Sequence, residues 1–240
     1  NSDSKVYNKS EQNVTGFTTD APTGVTVALA TGKKAEAKGT NVGTYHMGLT
    51  ANDFTVTAEN YTVTLVIEDG QLTITPASLD LLVTGDKEQF TYDGKLHGAE
   101  GFNVTTADGK SIPNGVSVEL AGDHTASVTA INAGTYPMGL TEDSFTVAGA
   151  SNYNVKLTVN DGSLKIAQRP ITITAGSKSK IFDNLPLTYN FASLTNGTLA
   201  EHQYAVYSAS GTITDPGTAP NVPDVHIYIM ETPTPAYAVR

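Results

Sequence analysis

The feature that most constrains the fold of this chain is an eight-residue phrase of sequence that occurs twice with one difference. Residues 43–50 read GTYHMGLT, and residues 134–141 read GTYPMGLT. A catalytic site needs one copy of its residues, whereas a building unit needs several, so an internal repeat has to be recognised before other motifs are interpreted. We therefore interpret the chain as a series of related modules.

The similarity extends to both sides of this phrase. Downstream, residues 54–74 align with residues 145–166 when one residue is inserted before an Asn-Tyr pair. Upstream, residues 21–30 (APTGVTVALA) match residues 112–121 (IPNGVSVELA). Because the similarity covers whole modules, it indicates a repeated fold rather than a repeated short motif.

A third copy is fainter. The stretch SKSKIFDNLPLT in the last third of the chain resembles SDSKVYNKSE near its start. We predict three modules, with boundaries 1–75, 76–167 and 168–240. In this alignment the first module lacks the strand that precedes it in the others, and the third lacks its last strand. We therefore expect the chain to be a piece of a longer protein.

Composition excludes several classes of function. The chain has 240 residues, with 14 Lys and Arg against 24 Asp and Glu, so its net charge of -10 opposes binding to nucleic acid. It contains no apolar run long enough to span a membrane, so we expect no membrane insertion. It contains no cysteine, so disulfides and cysteine nucleophiles are impossible. Extracellular modules without disulfides favour a bacterial, particularly Gram-positive, source.

The residue patterns predict an all-β protein. In YTVTLVIEDGQLTIT (residues 61–75), apolar residues alternate with polar ones up to Asp69-Gly70. An Asp-Gly pair favours a type I′ turn, which needs positive φ at both positions. We predict a β-hairpin there, with Ile67 opposite Leu72.

The second module repeats this pattern. Asp161-Gly162 predicts the same turn, with Val159 opposite Leu164. We interpret the aspartates of both pairs as turn residues rather than as acidic site residues. Nine-residue stretches in the two modules, TGKKAEAKG and GDHTASVTA, are both predicted to be extended.

Six or seven short strands per module favour a β-sandwich of immunoglobulin-like type. A β-grasp fold is the alternative, and a real helix at residues 49–53 would favour it. Tyr45 and Tyr136, in the two Gly-Thr-Tyr sequences, are predicted to be buried packing anchors. The junctions between modules are short and contain Pro76 and Pro170, so we expect an elongated, stiff array.

Motifs for catalysis are absent from the sequence. It has no G-x-S-x-G elbow, no phosphate-binding loop and no H-E-x-x-H. The five histidines are scattered without ligand spacing. We expect no catalytic residue, no cofactor and no metal site, although calcium on surface loops stays open. Glu142-Asp143 is interpreted as a solvated loop or a helix N-cap. Lys5 and Lys180 recur at matched places, where a Lys-to-Asn isopeptide cross-link is an open alternative.

These motifs resemble a known family. Tyr92-Asp93-Gly94, the Gly-Thr-Tyr strand and the closing N-Y…D-G-x-L-x-I pattern resemble the YDG/MBG-type repeats of large cell-wall-anchored surface proteins of gut and oral Firmicutes. The first module departs from the start motif with Asn8-Lys9, and the third with Asp183-Asn184. The resemblance implies extracellular, non-catalytic modules that are displayed as stalks of adhesins at the bacterial cell surface.

The hypothesis that follows is a stalk or spacer in adhesion, in contact with neighbouring modules of the same chain. In one alternative, the modules themselves bind a host glycan, mucin or matrix protein. In another, they assemble a fibre by strand exchange at the edge of the third module. The predicted ligand-binding residues are the tyrosines of the third module: Tyr204, Tyr207, Tyr228 and Tyr237.

Overall fold

The computed structural model describes residues 1–230. Apart from two single turns of 3₁₀ helix, Ala51–Asp53 and Glu142–Ser144, every regular element in them is a β-strand. The prediction of an all-β protein is therefore confirmed. Tyr237 lies outside the described residues. Within the described residues, no helix is long and apolar enough to cross a membrane.

The strands are short and follow one another closely along the chain. In the first repeat they are β1 (Asp3–Val6), β2 (Gln12–Thr15), β3 (Val25–Leu29), β4 (Glu36–Gly39), β5 (Gly43–His46), β6 (Phe54–Ala58) and β7 (Gln71–Thr75). In the second they are β8 (Ala77–Gly85), β9 (Lys87–Thr91), β10 (His97–Glu100), β11 (Phe102–Thr106), β12 (Ser117–Leu120), β13 (Ser127–Ala130), β14 (Gly134–Pro137), β15 (Phe145–Ala148), β16 (Tyr153–Asn160) and β17 (Ser163–Ala167). The last described strands are β18 (Thr172–Ala175), β19 (Leu187–Thr188), β20 (Ala192–Asn196), β21 (Gln203–Ser210), β22 (Thr212–Ile213) and β23 (Val222–Ile229).

The chain divides into two compact units, each built from separate stretches of sequence. The first unit comprises Asn1–Val83, Val104–His124 and Thr141–Asn160. The second comprises Thr84–Asn103, Thr125–Leu140 and the described residues from Asp161 onward. The second predicted module contributes to both units, and the boundaries of the three modules stay a prediction.

Each unit contains the same three-stranded sheet. In the first unit β7 is central, parallel to β1 and antiparallel to β5. In the second unit β17 is central, parallel to β9 and antiparallel to β14. Within these two sheets the central strands carry the most buried side chains, with Leu72 and Leu164 both 0 % exposed. The repeat in the sequence is therefore a repeat of one sheet and of its core.

The tyrosines of the Gly-Thr-Tyr sequences pack on these cores. Tyr45 is half-buried against the cluster that contains Leu72, and its hydroxyl donates a hydrogen bond to the Asn41 carbonyl at 2.9 Å. Tyr136 packs on the cluster that contains Leu164, and its hydroxyl donates to the Asn132 carbonyl at 3.1 Å. The predicted packing role is confirmed, and each polar hydroxyl has an acceptor.

The predicted hairpins are wrong. Residues 61–70 form no strand, and β7 pairs with β1 and β5 instead. In the second repeat both predicted strands exist, but β16 pairs with β8 whereas β17 pairs with β14 and β9. Leu72 therefore lies opposite Tyr45 and not Ile67, and Leu164 lies opposite Tyr136 and not Val159.

The Asp-Gly pairs recur for a reason other than the predicted turn. Neither Gly70 nor Gly162 has a positive φ. Glycine is needed there because the backbone is approached closely. A Cβ on Gly70 would lie 2.2 Å from the Asn1 carbonyl oxygen, and one on Gly162 would lie 2.3 Å from the Met138 sulfur.

The aspartates of these pairs bind the repeated phrase. The Asp69 carboxylate accepts hydrogen bonds from the backbone N–H groups of Gly48 and Leu49 at 3.0 and 2.9 Å. Asp161 accepts the equivalent bonds from Gly139 and Leu140 at the same two distances. The Met-Gly-Leu-Thr phrase and the distant Asp-Gly pair are therefore one structural device, and this is why both recur.

The Tyr-Asp-Gly start motif is a turn in all three copies. Asp93 accepts a hydrogen bond from the Lys95 N–H at 2.9 Å, and Gly94 between them has a φ of 83°. This is an Asx turn that places one residue in the left-handed region.

The two departures from the motif keep this geometry. The side chains of Asn8 and Asp183 each accept a bond from the N–H two residues later, at 3.0 Å. Lys9 and Asn184 take the left-handed position, with φ of 69° and 64°. The motif therefore has a structural role in every copy.

The turn after each Met-Gly-Leu-Thr phrase is the predicted loop or single helical turn. In each repeat this turn is a single turn of 3₁₀ helix, which follows Thr50 in the first repeat and Thr141 in the second. Glu142 and Asp143 are exposed there, as expected for a solvated turn.

The β-sandwich, with the β-grasp as its alternative, stays a prediction, as does the elongated shape of the array.

The matched lysines form ordinary contacts. The Lys5 ammonium donates to the Asn13 carbonyl at 2.6 Å. The Lys180 ammonium pairs with the Asp183 carboxylate at 2.7 Å. The isopeptide cross-link stays an untested alternative.

Candidate functional site

The predicted site residues lie on the longest antiparallel pair of the second unit. Strands β21 and β23 pair over eight residues each, and Tyr204 lies directly opposite Tyr228. Alternation along β21 leaves Ala205, Tyr207 and Ala209 at least half-buried on one face. The other face of this pair is exposed.

Two of the four predicted tyrosines come together on the exposed face. The rings of Tyr204 and Tyr228 stack with their centroids 5.2 Å apart and an interplanar angle of 19°. They are 47 % and 44 % exposed, so their outer faces are open to solvent. Tyr207 is half-buried and opposite Val225, on the other face of the strand, so it does not join them.

Polar groups lie beside the tyrosine pair. Val206, next on the same face, is opposite His226, and Ser208 is opposite Asp224. The Nδ1 atom of His226 lies 3.3 Å from an Asp224 carboxylate oxygen. We call the surface formed by Tyr204, Val206, Ser208, Asp224, His226 and Tyr228 the tyrosine face. It presents an aromatic platform with hydrogen-bonding groups at one side.

A cleft of about 540 Å³ lies elsewhere in the same unit. It lies between the sheet of the second repeat and strands of the third, and its lining includes Tyr92, Arg169, Gln203 and Ile229. The volume is within the usual range for small-molecule sites.

The polar side chains of the cleft are used by the protein itself. Arg169 donates to the carbonyl and hydroxyl oxygens of Thr198 at 2.7 and 2.6 Å, and to the Tyr92 carbonyl at 3.3 Å. Gln203 donates to the Tyr92 hydroxyl at 2.9 Å. These contacts hold the walls of the cleft together, so the tyrosine face is the better candidate for a ligand.

Sequence reasoning named the tyrosines but missed Arg169 and Gln203. Their shared partner Tyr92 is distant in sequence and belongs to a different predicted module, so no local signal marks them. Among residues 1–230, no group of three or more His, Asp or Glu side chains is placed to hold a metal ion.

Comparison with known proteins identifies one repeat-type domain in the chain. A search of curated proteins gave no match. Residues 80–168 match the family model of the MBG domain, a non-catalytic type of repeat domain, and this supports an MBG/YDG-type repeat in the second third of the chain.

Proposed function

We propose that this chain is a non-catalytic repeat segment of a bacterial surface protein and acts as a stalk or spacer in adhesion. The observation that carries the proposal is the sheet that is built twice with the same order and directions. The residues that recur with it, such as Leu72 and Leu164, Tyr45 and Tyr136, pack cores rather than form a chemical site.

The proposed location is the outside of a Gram-positive cell, at the cell wall. The absence of cysteine and the net charge of -10 support a surface-exposed protein that is stable without disulfides. The MBG match of residues 80–168 supports a repeat domain of a surface protein.

Small-angle X-ray scattering of the whole chain tests the spacer function. A spacer should have an extended pair-distance distribution, and its maximum dimension should be well above that of a compact protein of 240 residues. A bell-shaped distribution with the dimensions of a compact globule would contradict the spacer proposal.

A second candidate is binding of a host glycan through the tyrosine face. The observation that favours it is the exposed, stacked pair of Tyr204 and Tyr228, because sugar rings present apolar C–H faces that pack on aromatic rings. His226, two residues from Tyr228 on the same face, would then form a hydrogen bond at the edge of the sugar.

An array of mucin glycans and matrix proteins tests this second function. Tyr204→Ala combined with Tyr228→Ala should abolish binding to whichever class the parent chain binds. Tyr61→Ala is the matched control, because Tyr61 is also exposed but lies in the other unit. Equal binding by the double variant and the parent would exclude the tyrosine face.

A further inference from the structure

Strand β8 completes the part of the second repeat that lies in the first unit. It runs between β11 and β16 in a three-stranded sheet. Its side chains Leu79, Leu81 and Val83 are 6 %, 1 % and 0 % exposed, and the residues between them, Asp80 and Leu82, are exposed and half-buried. Leu79 and Leu81 form a core cluster with Val116, against which Tyr153 and Leu157 pack.

The first repeat has counterparts of both neighbours of β8 but not of β8 itself. By the repeat alignment, residues 16–20 correspond to the start of β11, and residues 61–68 correspond to β16. Neither stretch is a strand. Within residues 1–230, no strand occupies the place next to them that β8 occupies in the second repeat.

Apolar side chains of the first repeat are less buried than their counterparts in the second. Three aligned pairs show the difference, each with the residue of the first repeat named first: Val25 and Val116, Phe54 and Phe145, Tyr61 and Tyr153. In the first repeat Val25 and Phe54 are half-buried and Tyr61 is 62 % exposed. In the second, Val116 and Phe145 are both 7 % exposed and Tyr153 is half-buried. Val116 and Tyr153 belong to the cluster that β8 forms with Leu79 and Leu81, and Tyr153 also packs edge-on against Tyr7.

The exposed stretch keeps the side-chain alternation of a strand. Leu65 and Ile67 are half-buried, whereas Val66 between them is 92 % exposed. Phe17 corresponds to Phe102, the first residue of β11. It already packs edge-on against Phe54, with ring centroids 4.9 Å apart. The first repeat therefore holds an apolar surface of the right pattern together with backbone groups that no strand pairs.

We propose that residues 16–20 and 61–68 form an acceptor for one extended polypeptide strand with the alternating apolar pattern of β8, supplied from outside residues 1–240. The strand pairs with residues 61–68 through backbone hydrogen bonds and buries its alternate apolar side chains over Val25 and Leu65, whose counterparts Val116 and Leu157 pack with β8. Strand addition of this kind obtains affinity from the main chain and specificity from alternate side chains. This interaction goes beyond the spacer function and does not depend on it.

The test uses the whole chain and a fluorescent peptide with the sequence of residues 76–85, PASLDLLVTG. Anisotropy should show saturable binding, and amide hydrogen exchange should slow at residues 61–68. A peptide with Asp in place of the residues equivalent to Leu79 and Leu81 is the control. It should bind at least about tenfold more weakly, because its alternate side chains no longer fit an apolar surface.

A pair of variants of the chain tests the acceptor side. Leu65→Asp should weaken peptide binding by at least about tenfold, whereas Val66→Asp, on the solvent side of the same stretch, should leave binding unchanged. Exchange in β3 and β6 reports whether the first repeat is still folded in each variant.

Three results would overturn the proposal. The first is absence of saturable binding to the folded chain. The second is peptide-induced protection confined to β11 and β16, which would mean that the peptide only replaces β8. The third is protection of residues 61–68 that rises with chain concentration without peptide, which would mean that the surface pairs with a second copy of the chain.

Discussion

The carboxylate of Asp53 lies beneath the turn that follows the first Met-Gly-Leu-Thr phrase. One oxygen accepts hydrogen bonds from the N–H and hydroxyl of Thr50, both at 2.8 Å, and the other pairs with the Lys33 ammonium at 2.7 Å. These contacts, the Lys33 bond first, lower its pKa to about 2. In the second repeat the uncharged Ser144 takes this place, and its hydroxyl accepts from the Thr141 N–H at 3.1 Å.

Asp53 should make the stability of the chain depend on acid pH. Its pKa is about 2 in the folded chain and 3.8 without these contacts, so its stabilising effect is present above about pH 4 and is lost as the pH falls towards 2. Asp53→Ser, which copies the second repeat, should lower the urea midpoint at pH 7 and have less effect near pH 2. Measuring the midpoints of both chains across this range isolates Asp53 from other carboxylates. A constant difference between the two chains would contradict the prediction.

Gly162 should not tolerate even one added methyl group. A Cβ there would lie 2.3 Å from the Met138 sulfur and 2.6 Å from the Asp86 carbonyl oxygen. Gly162→Ala should reduce the free energy of unfolding by about 1–3 kcal/mol, as overpacking does in other cores. In the control Gly98→Ala the closest atom is a Thr129 methyl group at 3.3 Å, so the loss should be small. Equal urea midpoints for the two variants would show that close approach is not what requires glycine.

At the scale of elements, a stretch with strand-like alternation forms a strand only where a partner strand is present. Tyr153–Asn160 is a strand beside β8, whereas the aligned residues 61–68 are not. The same holds near Ile181, which aligns with Val6 of β1. Strand β1 pairs with β7. No described strand pairs with the stretch around Ile181 in the same way, and Ile181 is 92 % exposed. Backbone pairing, rather than intrinsic propensity, therefore decides these elements.

The bond between each Asp-Gly pair and its Met-Gly-Leu-Thr phrase should stabilise the loop between strand and 3₁₀ turn. Asp161→Ala removes the acceptor of two backbone N–H groups, those of Gly139 and Leu140. The free energy of unfolding should fall by about 1–3 kcal/mol, and amide exchange at these two residues should accelerate. Asp143→Ala, at an exposed carboxylate close by, is the control and should change neither quantity. Unchanged exchange at Leu140 in Asp161→Ala would refute this role.

At the scale of the whole molecule, compact units and sequence repeats do not coincide. The first unit takes three separate stretches of the chain, and the second unit combines parts of the second and third predicted modules. Within the second unit Arg169 joins these parts, because its guanidinium binds Tyr92 from one and Thr198 from the other. Long-range contacts of this kind define each unit.

Loss of Arg169 should therefore destabilise the second unit more than loss of a nearby exposed cation. Arg169→Ala should lower the free energy of unfolding by about 1–3 kcal/mol, since it removes three hydrogen bonds from a charged donor. Exchange in β21 should accelerate as well. Lys165→Ala, at an exposed position of β17, should have little effect. If both variants unfold at the same urea concentration, Arg169 does not join these parts.

The sequence alone determined that the chain repeats, that it is all-β and that Tyr45 and Tyr136 pack on a core, because alternation and composition are local properties of each stretch. It also identified Tyr204 and Tyr228 as aromatic residues but had no means of separating them from Tyr207. Only the tertiary structure decided which strands pair. Alternation shows which face of a strand is apolar, but many partner strands satisfy the same alternation. The predicted hairpins failed for this reason: Asp-Gly favours a local turn, whereas the close packing at Gly162 and the hydrogen bonds of Asp161 are formed with residues far away in the sequence.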